Sequence, residues 1–369
     1  MNTHNLIRKR SLFNLAVIFC LSLGITTFAE AKLTNRLSNG TNVSLIGFGT
    51  YKEFRNDIYL AALFAPNGVK KADDLTNANI AKRMSLRLMS DYSNRNMARH
   101  WKERLAINNT RETWQPLTQE IIAFSEVFQR KLQVGDEINI DYLPGLGVKI
   151  YLNGTLFKTI ESSDFMKVLL NVWLGDTPPG KDFKRTIRGS VPQSQKDNFE
   201  ARFLALVPIK GRFDSDLAKM TSSSRPTAVA AKPAEAKPKP ETKKQTQQQK
   251  PTRVATIEKP RPAVVPKEPV IDVDLISGSY TRELVSQVQK NQEYPDKAAR
   301  NNEQGDVTVK VTIDANGEVL EVDLVERSGS RTLDKATVKM VRRAAPFKPI
   351  PKELKLQTFE FEIPVSYQL

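Results

Sequence analysis

Cysteine and histidine are almost absent from this chain. Cys20 is the only cysteine among 369 residues, and His4 and His100 are the only histidines. Cys20 and His4 lie in an N-terminal segment that we expect to be removed, so the mature chain would hold no disulfide, no thiolate metal site and no two-histidine metal site. A Ser-His-Asp triad would need His100, which is predicted to be a surface or partly buried structural histidine. The sequence therefore predicts no catalytic centre, no bound metal and no cofactor.

The positive charge of the chain is unevenly distributed. The formal net charge is +15, but between Thr221 and Val270 eight Lys and three Arg stand against four Glu, a net of +7. Three more basic residues cluster at positions 8–10. Neither globular part shows a basic face interleaved with aromatic residues, which is the pattern typical of nucleic-acid binding. We therefore predict no nucleic-acid partner.

Residues 1–31 have the pattern of a secretory signal peptide. The basic cluster is followed by the apolar stretch LFNLAVIFCLSLGITTFA, and Ala29 and Ala31 form a small-x-small cleavage site. Cleavage before Lys32 would give a periplasmic protein. Because the apolar stretch is at the lower limit of length for spanning a bilayer, the alternative is an uncleaved inner-membrane anchor with periplasmic domains.

A proline- and lysine-rich segment at residues 221–275 separates two folded parts. It holds nine prolines between Thr221 and Val270 and has no apolar periodicity, so it is predicted to be a disordered linker. A lysine- and proline-rich chain of this length has an extended reach on the order of 150 Å. The predicted folded domains are residues 32–220 and residues 276–369.

The first domain mixes strand and helix patterns. MSLRLM is predicted to be a strand and SNRNMARHWKERLAIN a helix. LTQEIIAFSEVFQRKL is predicted to be one helix, capped by Thr118 and with an apolar face that reaches Leu132. GVKIYLNGTLFKTI is predicted to be a hairpin that turns at Asn153-Gly154. The predicted class is α+β, an antiparallel sheet with packed helices.

The second domain is predicted to be a small α+β unit. It begins with the helix YTRELVSQVQKN, followed by the hairpin GDVTVKVTIDANGEVLEVDLV, which turns at Asn316-Gly317. The helix TLDKATVKMVRRA and the alternating strand QTFEFEIPV complete the unit. Helices are expected to cover one face of its sheet only.

Three separated blocks of the first domain resemble the bacterial secreted branch of the chalcone isomerase-like family. They are GFGTYKEFRNDIYLAALFAP, DYLPGLGVKIYLNG and FMKVLLNVWLGDTPPGKDFKRTIRG, and they occur in the family's order. The resemblance covers most of the chain from Lys32 to Gly189. It implies an antiparallel sheet with helices that enclose an apolar cleft.

The same resemblance argues against isomerase chemistry. Family members have an arginine on this early strand, where it attracts a substrate oxygen, but this chain has Tyr51, followed by Lys52. A tyrosine lacks the fixed charge that stabilises a developing oxyanion. The resemblance thus implies a noncatalytic pocket for an apolar, fatty-acid-like molecule, with Tyr51, Tyr59 and Arg87 as its polar groups. The alternatives are an intramolecular lyase of the chalcone isomerase type and an adaptor without a ligand.

The second domain resembles the TonB C-terminal domain. YPDKAARNNEQGDVTV, DANGEV, SGSRTLDKATVKMVRRAAPFKPIP and FEIPVSYQL follow that family's order. The resemblance implies that an extended peptide from an outer-membrane receptor or another envelope protein adds as a strand to a sheet edge. The predicted edge runs from Gln357 to Val365. The predicted peptide-binding residues are Gln357, Thr358, Phe359, Glu360, Phe361, Glu362 and Ile363.

One departure from that family concerns energy transduction. Transducing members keep an N-terminal helix with a histidine, whereas the segment from Leu12 to Ala29 has none. The sequence therefore predicts a non-enzymatic periplasmic protein with a ligand-binding domain tethered to a peptide-binding domain. The alternative is a membrane-anchored transducer for outer-membrane transport, which would associate with the inner membrane.

Overall fold

A computed structural model of the chain describes residues 34–53, 56–69, 71–76, 79–189, 191–223 and 272–369. The predicted signal peptide or anchor and most of the predicted linker lie outside the described residues. Within the described ranges, none of the helices has the length and apolar character needed to cross a membrane.

The first domain is built on a seven-stranded antiparallel sheet. Its strands are β1 Thr34–Arg36, β2 Asn42–Glu53, β3 Asn56–Ala65, β4 Lys82–Leu88, β5 Glu137–Leu143, β6 Gly147–Leu152 and β7 Thr155–Ile160. Their spatial order follows the chain order, so each strand pairs with the next. The predicted hairpin is confirmed as β6 and β7. Asn153 and Gly154 connect these strands with φ angles of 45° and 85°, the left-handed values that a type I′ turn needs.

Among the described residues of this domain, seven α-helices accompany the sheet. They are α1 Asn94–Asn108, α2 Arg111–Trp114, α3 Thr118–Ser125, α4 Ser163–Leu174, α5 Lys181–Ile187, α6 Gln193–Ala205 and α7 Asp214–Ser223. The predicted α+β class, with helices packed on an antiparallel sheet, is therefore confirmed.

The two faces of the sheet carry different side chains. Tyr59 pairs with Leu88 and points into the main core, which includes the buried residues of α1 and α4. The neighbouring pair, Leu60 and Arg87, points to the opposite face because side chains alternate along a strand. On that face α6 packs through Phe203, over which the Arg87 guanidinium lies at 4.8 Å from the ring centroid.

The helix predicted from Thr118 to Leu132 is shorter than its apolar spacing suggested. α3 ends at Ser125, and the backbone of Leu132 instead exchanges two hydrogen bonds of 2.9 Å with Tyr92. Thr118 is the first helical residue rather than the cap, and its hydroxyl donates to the Gln115 carbonyl at 2.7 Å. The apolar residues after Ser125 thus reach the core of the first domain from an irregular segment rather than from a helix.

The second domain has a three-stranded antiparallel sheet and three helices, which confirms the predicted small α+β unit. The strands are β8 Gly305–Asp314, β9 Val319–Glu326 and β10 Thr358–Tyr367, in the order β10-β8-β9. The helices are α8 Val273–Gln289, α9 Asp296–Arg300 and α10 Arg331–Ala344. Buried side chains of α8 and α10 join those of the sheet in one core.

Helix α8 begins earlier than predicted. Asp272 caps it by accepting hydrogen bonds from the backbone N–H groups of Asp274 and Leu275, so the helix starts at Val273 rather than near Tyr280. Leu275 belongs to the core of the first domain, whereas Tyr280 belongs to the core of the second. The predicted domain boundary at residue 276 therefore falls inside one continuous helix.

Candidate functional site

Two tyrosines and a histidine form a buried polar cluster in the first domain. β2 and β3 pair Tyr51 with Tyr59, and α1 places His100 over them. The Tyr59 hydroxyl and His100 Nε2 share a hydrogen bond of 3.0 Å. The Tyr51 ring lies 4.3 Å from the His100 ring and 5.0 Å from the Tyr59 ring, measured between centroids. The structure thus brings Tyr51 and Tyr59, two of the three predicted ligand-binding residues, together with His100.

Burial keeps all three side chains uncharged at neutral pH. It raises the pKa of Tyr51 to about 12, although the charge of Arg104 opposes this rise. Burial also raises the pKa of Tyr59, and the proximity of Tyr51 adds to the rise. It lowers the pKa of His100 to about 3, with Arg104 as the second cause. The cluster therefore offers neutral hydrogen-bonding groups rather than a fixed charge.

His100 was not predicted to belong to this site. It was predicted to be a surface or partly buried structural histidine, whereas it is buried, with 5% exposure. The spacing of α1 could have predicted its burial, since His100 follows the buried Met97 by three residues and such residues share a helix face. Tyr92 and Arg104 were also missed, and both interact electrostatically with Tyr51.

Two indole groups lie beside the cluster with their polar atoms unsatisfied. Trp101 and Trp173 are fully buried, and their rings are 6.4 Å apart. Neither Nε1 has a hydrogen-bond partner of good geometry among the described residues, although Trp173 Nε1 lies near enough to the Tyr59 hydroxyl to lower its pKa. Buried donors without an acceptor are rare in folded proteins. An acceptor atom within reach of either Nε1 would therefore be stabilised.

Arg87, the third predicted ligand-binding residue, is separated from this cluster. It lies on the opposite face of the sheet from Tyr59, as the strand register requires. There it pairs with the Glu137 carboxylate and donates to the Leu206 carbonyl. Lys52 is also turned away, because it is 61% exposed and its ammonium group pairs with Asp57 at 2.9 Å. The ligand-binding roles of Tyr51, Tyr59 and Arg87 stay predictions.

A cavity of about 610 Å³ opens at the other end of β4. Its wall includes the buried Lys82, whose ammonium group donates to the Leu75 carbonyl at 2.7 Å and lies 5.1 Å from the Tyr142 ring centroid. Burial lowers the pKa of Lys82 to about 8, and Lys167 is the second cause. None of the three predicted ligand-binding residues lines this cavity.

The buried neutral histidine predicts a measurable pH dependence of stability. Because the pKa of His100 is lower in the folded chain than the ordinary 6.5, its contribution is complete above about pH 6.5 and is lost as the pH falls toward 3. Relative to His100→Gln, the wild-type free energy of unfolding should fall by about 3 kcal/mol more between about pH 6.5 and pH 4. Urea titrations of both proteins measure this difference. Parallel stability curves would contradict the buried neutral state.

The second candidate site is the open edge formed by β10. β10 pairs with β8 over ten consecutive residues without a register shift, and no described strand lies on its other side. Phe359, Phe361 and Ile363 are buried in the core, whereas Glu360 and Glu362 are exposed. The predicted strand is therefore confirmed, although Gln357 precedes it.

The outward backbone groups of β10 can be assigned by alternation. The Ser366 carbonyl accepts a hydrogen bond of 2.9 Å from Gln292 Nε2, which indicates that Ser366 points its backbone away from β8. Because the register is continuous, the backbone groups of Pro364, Glu362 and Glu360 also point away from β8. Proline has no N–H to donate, so its presence at an outward position leaves the β8 ladder intact. The edge thus offers N–H and C=O groups mainly from Thr358 to Glu362.

The opposite edge of this sheet is less regular. β9 has two register shifts against β8, one between the pairs of Thr308 and Val309 and one between those of Thr312 and Ile313. Such bulges twist a strand and discourage pairing with another chain. Of the two edges, β10 is therefore the better template for an added strand.

Comparison with known families agrees with this division. Residues 26–189 match the chalcone isomerase-like family, and residues 290–369 match the C-terminal domain of the Gram-negative bacterial TonB protein. Among curated relatives, Protein TonB of Pseudomonas putida is 37% identical over 86 residues, which cover 23% of this chain and 35% of that protein. The chain spans about a third of the length of the curated relatives it matches.

Solved structures match each part separately. A Helicobacter pylori TonB C-terminal domain is 25% identical, covers 25% of this chain and 82% of its own, and gives a TM-score of 0.22. A fatty-acid binding protein of Arabidopsis thaliana is 14% identical, covers 46% of this chain and 99% of its own, and gives a TM-score of 0.33. The two family matches identify a chalcone isomerase-like domain in residues 26–189 and a TonB C-terminal domain in residues 290–369.

Proposed function

We propose that this protein is a non-enzymatic periplasmic protein that captures an extended peptide on β10 and holds an apolar molecule in its chalcone isomerase-like domain. The peptide would come from an outer-membrane receptor or another envelope protein. The observation that carries the peptide function is the continuous, unpaired edge of β10.

Strand addition suits this edge because its affinity comes from backbone hydrogen bonds. Each N–H or C=O group from Thr358 to Glu362 that points outward can pair with the backbone of an incoming strand. Side chains would then set the preference. Glu360 and Glu362 are exposed, and cross-strand pairs of opposite charge are favourable, so a peptide with Lys or Arg opposite them is preferred.

Peptide titration tests this function. A peptide of about ten residues from the N-terminal segment of an outer-membrane receptor should bind the full chain, and replacing its basic residues by Glu should weaken binding. Isothermal titration calorimetry measures both affinities. Equal binding of the basic and acidic peptides would remove the proposed charge preference, and absence of binding to either would remove the peptide function.

The ligand function rests on the buried polar cluster and on the indole groups of Trp101 and Trp173. Tyr59 and His100 are neutral, and the Nε1 donors of Trp101 and Trp173 have no acceptor of good geometry in the described chain. The surrounding core is apolar. A molecule with an apolar body and one hydrogen-bond acceptor would satisfy these donors, while its body packs among apolar side chains.

The same geometry argues against catalysis of the isomerase type. By the family resemblance, Tyr51 stands where the isomerases have arginine, and its raised pKa keeps it a neutral donor. A neutral donor stabilises a developing oxyanion less than a fixed positive charge does. Lys52 does not replace that charge, because its side chain lies at the surface with Asp57.

Solvent extraction tests the ligand function. Protein purified under native conditions and then extracted should release an apolar small molecule that mass spectrometry detects in stoichiometric amount. A proteolytic fragment from the same preparation that holds only the TonB C-terminal domain serves as the matched blank. An extract that is indistinguishable from this blank would contradict the ligand function without affecting the peptide function.

A further inference from the structure

Helix α8 connects the cores of the two domains. Leu275, near its N-terminus, is buried in the core of the chalcone isomerase-like domain. Tyr280, Leu284 and Val288, further along, are buried in the core of the TonB C-terminal domain. The same helix thus belongs to both domains, and its N-terminal half is the element through which the second domain docks on the first.

The docking contact is close because a glycine stands at its centre. A Cβ atom on Gly278 would lie 2.4 Å from the Glu103 carbonyl oxygen and 2.8 Å from the Ala106 Cβ. Only a residue without a side chain allows α8 to approach the α1 backbone this closely. Two hydrogen bonds support the contact. Trp114 Nε1 donates to the Ser279 hydroxyl at 3.1 Å, and Arg282 Nη1 donates to the Ile107 carbonyl at 2.9 Å.

Charged groups flank this contact. Lys102 of α1 reaches the carboxylates of Asp272 at 3.0 Å and Asp274 at 2.5 Å, at the beginning of α8. The next residue, Glu103, is partly buried between the two helices. Its carboxylate accepts only a long hydrogen bond of 3.5 Å from the Ser277 hydroxyl and forms no salt bridge with a described residue.

We propose that the interface between α1 and α8 is a proton-controlled latch, which docks the TonB C-terminal domain when Glu103 is protonated and loosens when Glu103 is ionised. The ionised carboxylate would face the negative charge of Asp274 across the interface. Lys102 relieves this repulsion only in part, because its ammonium group is already shared between Asp272 and Asp274. Release would let the second domain, with its β10 edge, move away from the first domain.

The electrostatic surroundings of Glu103 support this assignment. Burial, with the charge of Asp274 as the second cause, raises the pKa of Glu103 to about 7. Arg99 and Arg104 act in the opposite direction, and the Ser277 hydroxyl also lowers it. Lys102 keeps its charge throughout, because hydrogen bonds with Asp274 and Asp272 outweigh the effect of burial and raise its pKa.

The direction of the pH effect follows from proton linkage. The docked state binds the Glu103 proton more tightly than the undocked state, where the ordinary pKa is 4.5. Docking is therefore strongest below about pH 4.5 and weakens until the pH passes about 7. Because the pKa of Glu103 is about 7 in the docked state and 4.5 in the undocked state, the docking constant should fall roughly 30-fold between about pH 5.5 and pH 8.

Distances between two spin labels in the full chain test the latch. Lys158 on β7 and Lys339 on α10 are exposed, so nitroxides can be attached there after replacement by cysteine in a Cys20→Ser background. Pulsed electron paramagnetic resonance should give a narrow distribution of the distance between the two labels at about pH 5.5. At about pH 8 an additional, broader distribution should appear. Glu103→Gln, which cannot ionise, should give the narrow distribution at both pH values.

Two helix variants separate docking from folding. Gly278→Leu should give the broad distribution at both pH values, because its side chain cannot fit against α1. Ser286→Leu changes an exposed position of the same helix. It should give the same distance distributions as the spin-labelled protein without a helix substitution. If the spin-labelled protein without a helix substitution gave one narrow distance distribution at both pH values, the latch would be overturned. An unchanged pH response in Glu103→Gln would overturn Glu103 as its proton site.

Discussion

Replacing Glu360 by proline should weaken peptide binding at least about tenfold while the protein stays folded. The substitution removes an outward N–H group from the β10 edge and puts the proline ring where the incoming strand must lie. Loss of one backbone hydrogen bond costs about 1.5 kcal/mol, and the ring adds a steric cost. Folding is preserved because the lost N–H does not bond to β8, and Pro364 already occupies an equivalent outward position. Calorimetric titration with the receptor peptide measures the effect.

The matched control is Glu360→Ala. It removes the same carboxylate, together with its ion pair with Lys310 at 3.7 Å, but keeps the N–H group. Its affinity should fall much less than that of Glu360→Pro for an uncharged peptide. If both variants bind such a peptide equally well, the backbone of β10 does not hold it.

Replacing Gly47 by alanine should destabilise the first domain by about 3 kcal/mol, since a new methyl group would be forced into a packed contact. The added Cβ would lie 1.7 Å from the Ile187 carbonyl oxygen, which belongs to the backbone of α5. A backbone carbonyl cannot turn aside as a side chain can, so α5 must shift away from β2. Urea denaturation of the variant measures the loss.

Gly49→Ala is the comparison for this prediction. Its Cβ would meet the Phe183 ring at 2.5 Å, and a ring can move more easily than a helix backbone. We expect a smaller loss of stability than for Gly47→Ala. Equal stability of the wild type and Gly47→Ala would contradict the close packing of α5 on β2.

The two glycines of the GFGTY block show how far sequence reasoning reached. The block from Gly47 to Pro66 was interpreted as one strand, whereas it holds the end of β2 and all of β3, and Tyr51 on β2 pairs with Tyr59 on β3. The role of the glycines was not predictable, because α5 follows them by more than 130 residues. They make room for that helix, because a Cβ atom on either would collide with Ile187 or Phe183.

Register explains the partial success at the ligand site. Tyr51 and Tyr59 meet because β2 and β3 place them opposite each other, whereas Arg87 is one residue away from the position that faces them. A shift of one residue moves a side chain to the other face of a sheet. Sequence patterns identified β4 but did not fix its register against β3.

Contacts between distant segments were the main feature that the sequence did not reveal. Gly278 lies before the helix predicted from Tyr280, and nothing near it in the chain shows that Glu103 and Ala106 lie against it. The alternation of β10, by contrast, is a local property. It predicted the buried positions Phe359, Phe361 and Ile363 directly.

Amide hydrogen exchange along β10 tests the central claim most directly. The full chain is compared with and without a saturating concentration of the receptor peptide. Strand addition predicts slower exchange at Thr358, Glu360 and Glu362, whose N–H groups point to the open edge, and no change along β9. Unchanged exchange at these three amides, or slower exchange along β9 instead, would contradict peptide capture on β10.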